Sequence, residues 1–401
     1  MAMSATLAMN EEVARRRRLG LPTVPLGFGE AGLPVHPLLT AELAAWANDA
    51  AYGPSAGIAP LREAAAGYWT RRGLPTEADQ VVAGPGSKPL LWAALGVQRG
   101  GVAVPQPCWV SYAAQATLHG RPVHRIPVAD GEGGVPDPAR LDAAATAARR
   151  AGEPIRTVVV TLPDNPTGLV AAPSTVAALC AVADQHDLLI VADEIYRDLV
   201  HDDATPFTSP AELAPARTIV TTGLSKSLAL GGWRIGVARF PEASKLRATV
   251  VATASEVWSA PAQPVQRAAA LALTEPLELR DRVRAARRLY ATVTAAVADL
   301  FVDAGASLVR PTAAFYVYPS LPGPAVEDDV ALAATLLDKR GVATLPGSAF
   351  GDDPSARRLR IATSLLLGND DEQRDAALRS DTPLDLPWIA DQLDRLAEAL
   401  R

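Results

Sequence analysis

The sequence predicts an α/β protein: a mainly parallel sheet covered by helices on both faces, accompanied by a smaller α/β domain. Three observations carry this expectation. Short apolar runs alternate with alanine-rich stretches of helical length, and residues with chemical potential gather directly after those runs. The chain has 401 residues, 49% of them hydrophobic, enough for two cores.

The apolar runs at 102–105, 157–162, 188–192 and 218–222 read as buried strands. Between them, 174–186 reads as a helix. The segment 81–95 reads as a strand, a Gly-Pro-Gly turn and a helix beginning near Ser87. Strand, helix, strand is the pattern of a parallel sheet, whose ligands gather at the carboxyl ends of the strands. A long helix is expected through 277–302. The expected division is a large domain over 41–279 and a small domain made of 1–40, an N-terminal arm, plus 280–401. No internal repeat or low-complexity linker interrupts the chain, although 34 prolines punctuate its loops.

Composition narrows the partners. With 38 basic against 44 acidic residues the net charge is −6, which argues against nucleic acid. The basic run Arg15 to Arg18 reads as a solvated helix face. No 18-residue apolar span occurs, and the first residues lack an apolar core followed by a cleavage site, so the expectation is a cytoplasmic protein with no membrane partner. Cys108 and Cys180 make no disulfide framework, the five histidines are scattered, and no metal is expected.

The chemistry is concentrated in TTGLSKSLALGGWRIG, 221–236, which sets Lys226 in a small-residue loop eight positions before Arg234. Such a loop can present one amine to an aldehyde while keeping a guanidinium close for a phosphate. Upstream lie PDNPTG at 163–168 and VADEIY at 191–196. Each fragment has an ordinary reading: a solvated lysine, a good turn, an acid at a strand end. The ordered set Asn165, Asp193, Tyr196, Lys226 and Arg234, each at or after a strand end, instead reads as a pyridoxal-phosphate site.

On NPTG, DEIY and the pattern SK-x7-R-x-G, the chain resembles the fold type I pyridoxal-phosphate enzymes of the class I and II aminotransferase group, from about Leu26 to the C-terminus. The resemblance implies that Lys226 forms the Schiff base with pyridoxal 5'-phosphate and later shuttles the substrate proton. It implies that Asp193 pairs with the pyridine nitrogen, that Asn165 and Tyr196 hydrogen-bond the phenolic oxygen, and that Ser225 and Arg234 hold the phosphate. Gly86, Ser87 and Lys88 become the phosphate cup at a helix N-terminus, and Trp109 the aromatic that stacks on the ring. Gly29 in GFGEAG would offer its backbone to the substrate carboxylate. Tyr52 in AYGPSAG would reach the phosphate of a neighbouring subunit, which implies a homodimer with shared sites.

These residue types suit the chemistry independently. A carboxylate keeps the ring nitrogen protonated, so that the ring accepts the electron pair released at the α-carbon. Donors on the phenolic oxygen stabilise its anion. Burial beside cations favours the neutral form of a lysine that must act as an amine. For the α-carboxylate, a guanidinium in ARRLRIATS is needed. Counting back from Ala362, as the family pattern suggests, selects Arg358; Arg357 and Arg360 remain open, because strand alternation places Arg358 and Arg360 on one face.

The expected reaction is transamination between an L-amino acid and a 2-oxo acid, with a lyase or cyclase on the same scaffold as the alternative. A regulator with an added DNA-binding module finds too few residues ahead of the match, and a dehydrogenase finds no G-x-G-x-x-G after a strand. Phe28, Trp109, Phe315 and Tyr316 suggest a side-chain pocket tolerant of apolar or aromatic groups. The acidic stretch after IATS, 365–388, departs from the family pattern close to the expected carboxylate arginine and stands either as a device at the substrate entrance or as a surface elaboration.

Overall fold

The computed structural model describes residues 5–242, 245–322 and 327–401. Among the described residues, the largest sheet has seven strands: β1 (Val81–Gly84), β2 (Gly101–Gln106), β3 (Val123–Pro127), β4 (Ile155–Thr161), β5 (Leu189–Asp193), β6 (Thr218–Gly223) and β7 (Gly236–Arg239). Their spatial order is β1-β7-β6-β5-β4-β2-β3. The expected α/β architecture and mainly parallel pairing are both present: β3, β2, β4, β5 and β6 run parallel. Only β7 runs antiparallel to its neighbours β6 and β1. The connection from Gly223 to Gly236 holds no α-helix, and a parallel return needs a helical crossover, so the chain doubles back.

Parallel strands are covered on both faces and therefore read as continuous apolar runs rather than alternating ones. Val158, Val159 and Val160 are all fully buried, as are Ile190, Val191 and Ala192. Each buried valine or isoleucine contributes roughly 1.5–3 kcal/mol relative to exposure. One core fills the sheet face that holds Val158 and Ile190. Another, with Val159 and Val191, fills the opposite face under the helix α2 (Ser87–Gly96).

The registers align the strand ends that matter. Thr161 lies opposite Asp193, Asp193 opposite Thr221, and Gly223 opposite Gly236. The loops after β4, β5 and β6 thus leave one edge of the sheet side by side, bringing 163–168, 194–196 and 224–235 together. Gly236 has to be glycine for this edge to close: a Cβ there would sit 2.6 Å from the Ser87 amide nitrogen, where the turn into α2 crosses β7.

A third core is built on the helix α3 (Leu277–Asp303). Its apolar residues Ala286, Leu289, Val293, Val297 and Phe301 recur at helical spacing and are buried. Against them lies a three-stranded sheet of β8 (Tyr316–Val317), β9 (Leu345–Pro346) and β10 (Leu359–Ala362), in the order β9-β10-β8 and antiparallel. The N-terminal segment is tied to it where Ala362 N donates to Leu26 O at 2.8 Å. The acidic stretch after β10 continues through a turn into helices Asp371–Arg379 and Pro387–Leu400. Buried Ile389 and Leu396 dock the last helix on this core, and Trp388 Nε1 donates to Leu367 O at 2.9 Å. Among the described residues no helix is long and apolar enough to cross a membrane.

Candidate active site

A cavity of about 570 Å³ opens at the carboxyl edge of the large sheet. Lys226, Asp193, Asn165, Tyr196, Ser225, Arg234, Ser87, Lys88, Trp109 and Gly29 all line it. Gly86 is next to it, as the N-cap of α2. Of the remaining expected residues, Tyr52, which is 97% exposed, and Arg358 do not line it either.

Lys226 stands in the loop after β6, and its Nζ donates to the Gly29 carbonyl. The Gly29 backbone, expected to meet a substrate carboxylate, therefore holds the amine here. Burial in the cavity and then the nearby Arg360 charge bring the lysine down to about 8. An amine with that pKa is neutral for part of the time near neutral pH and is a usable nucleophile.

Asp193 ends β5, 3% exposed. Desolvation raises its carboxyl to about 6, opposed by a hydrogen bond from Tyr112 Oη to Oδ2 at 2.8 Å. The Ile195 amide also donates to Oδ1, at 3.3 Å. A cation against this carboxylate would favour its ionised form. Tyr112 in turn accepts from Thr161 Oγ1 at 2.9 Å. Sequence reasoning misses Tyr112, because its partnership with Asp193 spans 81 residues of chain. The Trp109 and Tyr112 rings meet edge to face with centroids 5.3 Å apart.

Next to α2, Gly86 has φ +96°, and any side chain there would run into the Arg234 guanidinium. Arg234 is itself held in the left-handed region and donates to the Gly231 and Pro85 carbonyls. No side chain caps α2, so its first amides are available to an anion. Lys88 points into the mouth with Nζ 5.0 Å from the Trp109 ring centroid, and desolvation and then Arg234 hold its amine below the ordinary lysine range.

Arg358 requires a correction. Its side chain is 44% exposed, 3.7 Å from Asp352, and it lies over Tyr318 outside the cavity. Of the three candidates it is Arg360 that lines the cavity, 1% exposed, with Nη2 donating to Gly27 O at 2.6 Å and Nε without a partner. Two residues of strand separate the pair by roughly 6.6 Å, so a shared face still leaves only one of them at the cavity. Arg357, with φ +46°, also breaks the regular pleat just before β10. Phe315 is buried just behind the lining, its ring centroid 6.0 Å from Lys226 Nζ, whereas Phe28 and Tyr316 line the cavity. So do Thr6, Leu7 and Asn10 of the N-terminal helix Ala5–Arg18, which the sequence reading left as an arm. No residue of 365–401 lines the cavity.

An amine of lowered pKa, a buried carboxylate and an anion cradle at one edge of an α/β sheet are the chemistry of a site that can hold a phosphorylated aldehyde. Comparison identifies the family. Residues 27–377 match the family "Aminotransferase class I and II", and the chain belongs to that family. It is 34% identical over 371 residues to the aspartate/prephenate aminotransferase of Thermus thermophilus, covering 91% of this chain and 93% of that one. It is 33% identical to the aspartate aminotransferase of Geobacillus stearothermophilus, covering 90% and 92%. The solved aspartate aminotransferase from Thermus thermophilus with maleate superposes with a TM-score of 0.86 at 30% identity, covering 100% of this chain and 97% of that one. The protein is an aminotransferase, a pyridoxal-phosphate-dependent transferase acting on amino acids and 2-oxo acids.

Proposed function

We propose that the chain moves an amino group between an L-amino acid and a 2-oxo acid with pyridoxal 5'-phosphate held on Lys226. One observation carries the reading: the Lys226 amine, the Asp193 carboxylate and the Arg360 guanidinium share one cavity. The residues fit the cofactor. The Gly86 and Arg234 cradle suits a phosphate, Asp193 suits a protonated ring nitrogen, and Asn165 brings to the cavity a carboxamide whose Nδ2 can donate to the phenolic oxygen.

When bound, the cofactor supplies an electron sink for the pair released at the substrate α-carbon. In this reading Ser87, Ser225, Arg234 and the first amides of α2 hold the phosphate, and Trp109 covers one face of the ring. Asp193, oriented by Tyr112, keeps the ring nitrogen protonated. Asn165 and Tyr196 donate to the phenolic oxygen. Lys226 Nζ is the base at the α-carbon. Arg360 replaces Arg358 as the grip on the α-carboxylate, its planar fork matching two oxygens. Lys88 is left as a further cation at the mouth, which favours a substrate with a second carboxylate, the class printed in the names of the aspartate and prephenate relatives. The faces of Phe28, Trp109 and Tyr316 leave room for an apolar or aromatic body. Tyr52, a tyrosine with nearly all its surface free, supports a homodimer in which it reaches the phosphate held by the second copy.

Borohydride reduction of the holoenzyme followed by peptide mapping tests the reading, which requires the cofactor on the Lys226 peptide. Because the protonated amine does not attack, the rate at which apoprotein captures the cofactor should rise with pH and level off above about 8. Label on another lysine, or a rate flat across that range, would contradict it.

A further inference from the structure

Two tyrosines from distant parts of the chain meet end to end at the cavity. Tyr196 follows β5 and Tyr316 begins β8; both line the cavity, they are 3% and 0% exposed, and their hydroxyl oxygens are 2.6 Å apart. Their rings cross at 81° with centroids 5.5 Å apart, so the contact is made through the hydroxyls and ring edges rather than by stacking. Arg360 is the third member. Its guanidinium lies against Tyr316, with Cζ 5.1 Å from the ring centroid, and its charge pulls the Tyr316 hydroxyl down against the rise that burial imposes.

The donor inventory gives this chain a direction. A guanidinium can only donate, so toward Arg360 the Tyr316 hydroxyl presents its oxygen rather than its proton. Tyr316 has one proton left to place, and among the described residues the acceptor recorded beside it is the Tyr196 oxygen. Tyr316 therefore donates to Tyr196, and the proton of Tyr196 is left to point into the cavity. The opposite sense would leave the Tyr316 proton buried without an acceptor and turn a Tyr196 lone pair toward an anionic oxygen.

We propose that Tyr316 is a positioning residue that fixes the Tyr196 hydroxyl as a donor to the cofactor's phenolic oxygen, so that Arg360, Tyr316 and Tyr196 form one directional relay from the carboxylate grip to the cofactor. This rests on the proposed placement of Tyr196 and gives Tyr316, whose ring also lines the cavity, a second part that it plays through Tyr196. Hydrogen bonds in series polarise one another, so Tyr316 strengthens the bond that Tyr196 makes. The charged groups around the pair are Arg360, Asp193 and Asp164, together with Lys226, whose Nζ is 5.9 Å from the Tyr196 ring centroid. They stay unchanged in the variants below, so their fields cancel in the comparison.

The test is a pH titration of the bound cofactor's visible absorbance in the wild-type holoenzyme, Tyr196→Phe, Tyr316→Phe and the double variant. Phenylalanine keeps the ring packing, which near-ultraviolet circular dichroism checks. Losing a donor to the phenolic oxygen favours the protonated chromophore, so the apparent pKa should rise in Tyr196→Phe. In Tyr316→Phe it should rise by a few tenths of a unit. The double variant should match Tyr196→Phe, because Tyr316 acts only through Tyr196. A silent Tyr316→Phe beside a shifted Tyr196→Phe overturns the relay and leaves the proposed function standing, as does an additive double variant. A silent Tyr196→Phe overturns both the relay and the placement of Tyr196.

Discussion

Replacing Lys226 with alanine should lower the turnover of any amino acid by roughly 10,000-fold, the upper range for loss of a positioned proton-transfer group. The size follows from the geometry. Lys226 is the lysine that enters the cavity beside Asp193 and Arg360, whereas Lys88 sits at the mouth over Trp109. The variant should still fold, because the amine's one recorded hydrogen bond is to the Gly29 carbonyl. It should also still bind the cofactor non-covalently, through the Arg234 cradle and Asp193. Steady-state kinetics with dialysis of the bound cofactor measures both. Turnover within tenfold of wild type would remove Lys226 from the chemistry.

The second large effect separates two neighbouring arginines. Arg360→Ala should reduce kcat/KM by about 30-fold or more, because truncating one partner of a buried charge pair costs roughly 2–5 kcal/mol. Arg358→Ala should change it by less than about threefold, since a half-exposed ion pair such as Arg358–Asp352 contributes little. A further signature distinguishes Arg360. Its charge is the second cause, after desolvation, of the depressed Lys226 pKa. Its removal should therefore raise the lysine back toward the ordinary amine range and move the pH midpoint of cofactor capture upward. The opposite ranking of the two variants would restore Arg358 as the grip.

How much of this was legible beforehand depends on whether a signal was local. The parallel strands could be read because burial on both faces writes them as unbroken apolar runs, and the observed β4, β5 and β6 lie within a residue or two of their expected bounds. The helix after the Gly-Pro-Gly turn begins at Ser87 for the same kind of reason: a positive-φ glycine marks where the chain must turn. Residues whose place follows from the strand end they flank, such as Asp193 and Asn165, could be located from spacing alone. What spacing could not supply was depth along a strand. Arg358 and Arg360 obey the same alternation, and only the position of the cavity's edge decides between them. Tyr112 and the Tyr196–Tyr316 contact were hidden for a different reason. They are side-chain partnerships across 81 and 120 residues of sequence, created by tertiary packing with no local pattern. The N-terminal residues Thr6, Leu7 and Asn10 reach the cavity in the same way, through a helix that the sequence shows only as an arm with a solvated basic face.

The most direct test of the account is the half-reaction. Holoenzyme is mixed with a stoichiometric L-amino acid, aspartate first, with no 2-oxo acid present, while the cofactor absorbance and the released product are followed together. The account predicts conversion of the bound cofactor to its amine form, with release of one equivalent of the matching 2-oxo acid per site, and recovery of the original spectrum when a 2-oxo acid is added. A product that keeps its nitrogen, or a cofactor that returns to its starting form without releasing any oxo acid, would contradict amino-group transfer at this site.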